Sequence, residues 1–184
     1  GDAEAMLEAQ RRSGRLAALG YNYIQNPAIR HVGRLLDEGV IGTVSHARFE
    51  MDEDFMADPE APFGWKSEQA SGHGALDDFG GHVFSILTTL LGGVAEAFGM
   101  SSKPYVDRPH VDGTRRRVET ADVAGAFLRL ESGASAIVAL NRSAWGRKGR
   151  LAFQLFGSRG TILFDQERMN EAQLYVAEGP EANQ

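Results

Sequence analysis

Two side chains four residues apart, Asp78 and His82, are the most informative pair in the sequence. On a helix with about 100° between residues, positions 78, 82, 85 and 89 share one stripe, and it reads Asp, His, Ser, Thr. A carboxylate beside an imidazole can accept one ring N–H, fix the tautomer and raise the basicity of the other nitrogen. That nitrogen can then take a proton from a substrate hydroxyl. Gly72, Gly74, Gly80 and Gly81 keep the surroundings bare, so a ligand can approach closely. On spacing alone, a solvated i,i+4 ion pair accounts for the same two residues. A metal site competes for them as well, because His73, His82, Asp77 and Asp78 cluster in the sequence. Their spacing matches no helical His-x-x-x-His arrangement, and the adjacent Asp77 and Asp78 point about 100° apart, so no metal is expected.

Other candidate groups carry less. Arg115, Arg116 and Arg117, with Arg108, could form an anion patch, but Asp107, Asp112 and Glu119 flank them and a solvated hairpin loop fits better. Trp145, in the turn NRSAWGRKG, could stack on a sugar ring or simply pack. No Gly-x-Gly-x-x-Gly follows a strand, and there is no phosphate-binding loop or serine nucleophile elbow. Cysteine is absent, which excludes disulfides, zinc–thiolate sites and cysteine nucleophiles.

The composition is that of a globular chain. Of 184 residues, 42% are hydrophobic and 24% charged, enough to bury a core without staples. No apolar run approaches the ~20 residues of a membrane helix. The net charge of -6 argues against a nucleic-acid partner, since phosphate binding needs a basic face. No basic segment followed by an apolar stretch opens the sequence, so a cytoplasmic location is expected.

The elements that must position these residues alternate in type. Residues 2–13 read as a helix ended by Gly14, and RLAALGYNY reads as a short buried strand. Asn26 and Pro27 open a second helix with Ile29, Val32, Leu35 and Leu36 on its apolar face. VSHARFEMD is a strand, and an irregular polar stretch from Asp52 to Gly72 carries Trp65. The segment from Ala75 to Gly93 reads as one helix, with Leu76, Phe79, Val83, Ile86, Leu87 and Leu90 on one face. Six short period-two strands follow, separated by turn signals. The order predicts an α+β fold: a mostly antiparallel β-sheet meander with helices packed on one face. Ala124, Ala126, Ala136 and Val138 would suit an open sheet face used for self-association, or an ordinary core.

The stretch WKSEQASGHGALDDFGGHVFSILTTLLGG resembles the hallmark segment of the Gfo/Idh/MocA oxidoreductases, a family that includes glucose–fructose oxidoreductase and inositol dehydrogenase. Asp78, Gly80 and His82 fall on its Asp-x-Gly-x-His positions. GYNYIQNPAIRHVGRLLDEGVIGTVSHARFE resembles the family's passage from cofactor domain to substrate domain, and RLAFQLFGSRGTILFD resembles its late strand pair.

The resemblance implies an NAD(P)-dependent dehydrogenase acting on a sugar, cyclitol or related polyol. It implies that residues 1–20 are the last helix and strand of a cofactor domain whose Rossmann core and catalytic lysine lie upstream. Residues 21–184 would then form a substrate-binding and oligomerisation domain that is cut at its C-terminus. His82 would be the acid/base, with Asp78 positioning it and the substrate. Trp65, Lys66 and Tyr23 would line the substrate pocket, and Tyr21 and Asn22 would lie near NAD or NADP. The fragment alone would be inactive and the parent a homo-oligomer through the sheet face. A binding or dimerisation module without turnover is the alternative. Four positions depart from the family pattern: Ile24 and Lys66 replace arginines usual there, His73 a glycine and Asp77 an apolar residue. Exchanging arginine for Lys66 changes how an anion or hydroxyl is held.

Overall fold

A computed structural model describes residues 2–72 and 74–177. Helix α1 (Asp2–Ser13) begins with Asp2 and Glu4 and ends with Arg11 and Arg12, the charge order a helix dipole favours, yet none of its residues is buried. The strand expected over RLAALGYNY does not form. Residues 15–20 have no regular structure, and Leu16 and Leu19 are 97% and 78% exposed. A strand needs a neighbour to receive its backbone groups, and no described strand lies beside this segment. After a single turn at Asn22–Gln25, helix α2 (Pro27–Asp37) starts as expected. The Asn26 side-chain oxygen accepts from the backbone N–H of Ala28 at 2.8 Å and of Ile29 at 3.4 Å.

Strand β1 (Val44–Glu53) is followed by the polar stretch, helix α3 (Ala75–Asp78) and helix α4 (Gly80–Leu91). Strands β2 (Val94–Ser102), β3 (Asp107–Pro109), β4 (Arg115–Arg117), β5 (Val123–Leu130), β6 (Ser135–Asn141), β7 (Lys148–Gly157), β8 (Gly160–Asp165) and β9 (Ala172–Val176) complete the chain. β3 and β4 form a separate ribbon. The other seven make one sheet in the order β2-β5-β6-β1-β7-β8-β9. The fold is α+β with a mostly antiparallel sheet, but it is not a plain meander. β1 inserts between β6 and β7 and runs parallel to β6.

The insertion follows from side-chain pattern. Ala47, Phe49 and Met51 alternate along β1 and lie opposite Ala136, Val138 and Leu140 of β6 and Leu155, Phe153 and Leu151 of β7. All are buried, together with Ile29 and Val32 of α2 and Val83, Ile86 and Leu87 of α4. Burying each such side chain contributes about 1.5–3 kcal/mol, so this layer fixes the helices on one face of the sheet. Ala124, Ala126, Ala136 and Val138 also belong to this covered layer and not to an open face. Period two allows either phase, and the continuous apolar rows select the side that meets the helices. The outer face carries Arg48, Glu50, Phe98, Phe127, Arg129 and Arg150, with Phe98 directly opposite Phe127.

The single helix expected from Ala75 to Gly93 bends at Phe79 into α3 and α4, and Leu76 is left exposed. The Gly80–Gly81 pair gives the helix little reason to run straight. Upstream, Gly74 adopts φ 77°, and a Cβ there would run into the Ala121 carbonyl. Only glycine lets the start of α3 lie so close to the strand entering β5.

Candidate functional site

β1 and β6 are the sheet's one parallel pair, so their C-terminal ends open on the same edge. The short β6–β7 connection crosses over the end of β1. The Ala144 N–H donates to the Glu53 carbonyl at 2.9 Å, and the Met56 N–H donates to the Arg142 carbonyl at 2.9 Å. The Lys148 ammonium holds Asp54 at 2.7 Å. The bend between α3 and α4 lies against this edge, with Phe79 edge-on to Phe55 at 6.1 Å. Side chains from four separate segments therefore converge there.

Asp78 stands at the centre of the first group. The Lys66 ammonium donates to its Oδ2 at 2.5 Å, and the Arg142 guanidinium reaches the same oxygen at 3.4 Å. Lys66 also lies over the rings of Phe55 at 4.7 Å and Trp65 at 5.2 Å, close enough for cation–π attraction. Arg142 is only 2% exposed and donates to Asp122 Oδ1 at 2.7 Å. Asp122 is fully buried, with Arg108 on its other side at 3.7 Å. Thr120 donates to the Lys66 carbonyl at 2.7 Å, which ties the Trp65 turn to this base. Trp65, Lys66, Asp77, Asp78, Thr120 and Arg142 line a cavity of about 180 Å³.

His82 forms the second group. Its ring meets Tyr23 edge-on at 5.0 Å between centroids and Tyr21 at 6.4 Å. Its Nδ1 is buried and has no hydrogen-bond partner among the described residues. The expected hydrogen bond between Asp78 and His82 is therefore not made. The bend at Phe79 places the two residues on different helical segments, and the carboxylate turns to the cations instead. Asn22 is exposed and its side chain makes no hydrogen bond among the described residues. His73 lies outside the described residues, and no cluster of three metal-ligating side chains occurs among the described ones.

Glu53, at the end of β1, joins the two groups electrostatically. Burial pushes its carboxyl up, and the neighbouring charge of Asp78 adds to the effect, while Lys66 and His82 oppose it. Its neighbour Asp54 shifts the other way, because the Lys148 ammonium favours its ionised form. Sequence reasoning proposed Asp78, His82, Trp65, Lys66, Tyr21 and Tyr23; Trp65, Lys66 and Asp78 line one cavity, while Tyr21 and Tyr23 pack against His82. It missed Glu53, Phe55, Thr120, Asp122 and Arg142. Each sits where a strand begins or ends, and only the parallel pairing of β1 with β6 brings them together. Arg108, expected in a solvated loop, is buried. Its guanidinium donates to the Asp58 and Met56 carbonyls at 2.6 and 2.7 Å.

The candidate site thus lies where the parallel strand pair of an α+β sheet ends, beside the bend between α3 and α4. The chain belongs to the GFO/IDH/MocA C-terminal domain family, whose profile matches residues 29–163. It is 27% identical over 190 residues to levoglucosan dehydrogenase from Pseudarthrobacter phenanthrenivorans, covering 96% of this chain and 49% of that protein. An NAD binding oxidoreductase from Klebsiella pneumoniae superposes with a TM-score of 0.90 at 32% identity, over 97% of this chain and 48% of that one. Levoglucosan dehydrogenase in complex with NADH and L-sorbose superposes with a TM-score of 0.90 at 28% identity, with the same coverage. The chain thus spans about half the length of these relatives. No described helix is long and apolar enough to cross a membrane.

Proposed function

We propose that this chain is the substrate domain of a cytoplasmic NAD(P)-dependent dehydrogenase that oxidises a sugar, cyclitol or related polyol. Family membership supports the class, and the neighbour solved with NADH and L-sorbose supports the cofactor and substrate type. The observation that carries the reading is His82: an imidazole beside two tyrosines, four residues after the pocket's Asp78, with Nδ1 unengaged by the described residues.

In this reading a bound NAD(P) supplies the hydride acceptor, and the chain's own residues handle the polyol and its proton. His82 takes the proton of the hydroxyl being oxidised. Asp78 accepts a hydrogen bond from a neighbouring hydroxyl, with Lys66 as a donor and Trp65 as a flat apolar wall. Tyr23 backs the imidazole. Tyr21 and Asn22 are exposed beside it and suit the nicotinamide end of the nucleotide. No glycine-rich turn after a strand is present to cradle the pyrophosphate, so residues 1–20 are read as belonging to a nucleotide domain outside this sequence. The exposed leucines of that segment fit a surface covered by such a domain.

The test is turnover of the full-length protein over a panel of aldoses and cyclitols. His82→Ala is expected to lower kcat/KM by roughly 10²–10⁴, the usual contribution of a general base. A loss below about tenfold would remove His82 from the chemistry, and the 184 residues alone should show no turnover. A second copy of the chain is placed on the outer sheet face, where Phe98, Met100 and Phe127 are exposed together. This surface is also what a binding module without turnover would use. Light scattering checks it, because Phe127→Asp should convert an oligomer to a monomer. A wild-type monomer at high concentration would discard the idea.

A further inference from the structure

The relay behind Asp78 has no role in the reading above. Arg142 directly follows β6 with its guanidinium inside the domain, held at 2.7 Å by the fully buried Asp122 and at 3.3 Å by the Thr120 hydroxyl. Its other Nη reaches forward to Asp78 Oδ2. The Nη that meets Asp122 also reaches the Lys66 carbonyl at 3.4 Å, and Nε has no partner among the described residues. Asp122 is flanked in turn by Arg108 at 3.7 Å, whose two Nη atoms donate to the Asp58 and Met56 carbonyls. Lys66 approaches Asp78 on its half-exposed side and contacts the same Oδ2. Both cations therefore hold one oxygen, and Oδ1 is left without a partner among the described residues.

We propose that Arg142, backed by Asp122, is a positioning residue that fixes the Asp78 carboxylate so that Oδ1 alone is offered to the ligand. The physical reason is geometric. Lys66 is a point charge on a flexible stem, and alone it would let the carboxylate rotate about its terminal torsion. A planar guanidinium anchored from behind removes that freedom. A second hold on Oδ2 also keeps Asp78 facing the pocket when Lys66 turns to a ligand hydroxyl. The proposal rests on the dehydrogenase reading for its effect on turnover, but not for its effect on Asp78.

The experiment has two arms. The first is a crystal structure of the chain carrying Arg142→Met, in which Asp122 keeps Arg108 as a counter-ion. Should that variant fail to fold, Arg142→Met with Asp122→Asn removes both buried charges together. The Asp78 carboxylate is expected to rotate or to split between orientations. An unchanged carboxylate overturns the proposal, whatever the activity. The second arm is a double-mutant cycle in the full-length enzyme with Asp78→Asn. Arg142→Met alone should lower kcat/KM at least about tenfold, chiefly through kcat, since misplacing a contact group by an ångström is that costly. In the Asp78→Asn background it should cost less than about twofold. Equal losses in the two backgrounds would mean that Arg142 acts on the fold and not through Asp78. Arg142→Lys, which keeps the charge without the fork, should recover part of the loss. If the wild-type enzyme oxidises no sugar or polyol, the functional reading fails and the first arm still decides the role of Arg142.

Discussion

Two clusters of charge, built from the same residue types, sit at opposite ends of the burial scale. Beneath the site, Arg142, Asp122 and Arg108 are shut away from water, and their terminal guanidinium nitrogens turn to backbone carbonyls, Thr120, Asp122 and Asp78. On the outer sheet face, Arg150 is shared by Glu50, Asp52 and Asp165, and these carboxylates remain partly wet. Removing one ion from a buried cluster strands its partners without solvent, whereas the wet cluster can fall back on water. The first arrangement fixes a shape, and the second mainly decorates a surface. The comparison teaches that a salt bridge speaks for function here only where the chain has given up hydration to build it.

The comparison can be broken by measurement. The largest effect is expected from Asp122→Ala, which leaves two arginines facing each other in the interior. Urea unfolding should show a loss of about 3–5 kcal/mol. Arg150→Ala should cost about 1 kcal/mol or less, and the loss should shrink further in high salt. Similar losses for the two variants would remove the distinction. The smallest effect concerns Glu53. Burial raises its carboxyl above the ordinary 4.5, so the folded state favours the protonated form. Its contribution to stability is complete below that value and is lost as the pH rises through the folded-state value. Glu53→Gln should therefore match wild type in acid and be more stable at neutral pH, by about half a kcal/mol given its partial exposure. A Glu53→Gln variant less stable at pH 7 than wild type would place the carboxylate in a favourable ion pair instead.

Much of the fold can be read from local pattern. Asn26 and Pro27 mark the start of α2, and alternation finds β1, β2 and β5 through β9. These signals are carried by neighbours in sequence, so they survive without knowledge of the partner. What escaped was set by partners far along the chain. RLAALGYNY reads as a strand because Leu16, Ala18 and Leu19 are apolar, but nothing in the described chain pairs with it. The phase of Ala124 and Val138 was open until the helices chose a side. For the site, Asp78 and His82 were visible as types, but their relation was misread because a continuous helix was assumed across Phe79. Arg142 and Asp122 carried no warning: a charged residue at the edge of an apolar strand looks like the start of a loop, and only burial distinguishes the two.

One further consequence follows from the place of β1. It is made early in the chain, yet it occupies the middle of the sheet between strands that come about ninety residues later, as Phe49 opposite Val138 illustrates. Until that slot closes, the sheet is two separate ribbons, and the loop that crosses the end of β1 has nothing to cross. Sheet completion and pocket assembly thus depend on the same long-range closure, which has a high cost in chain entropy. A partly folded form can keep its hairpins but not its binding edge, so competence to hold a ligand reports on completion of the whole domain.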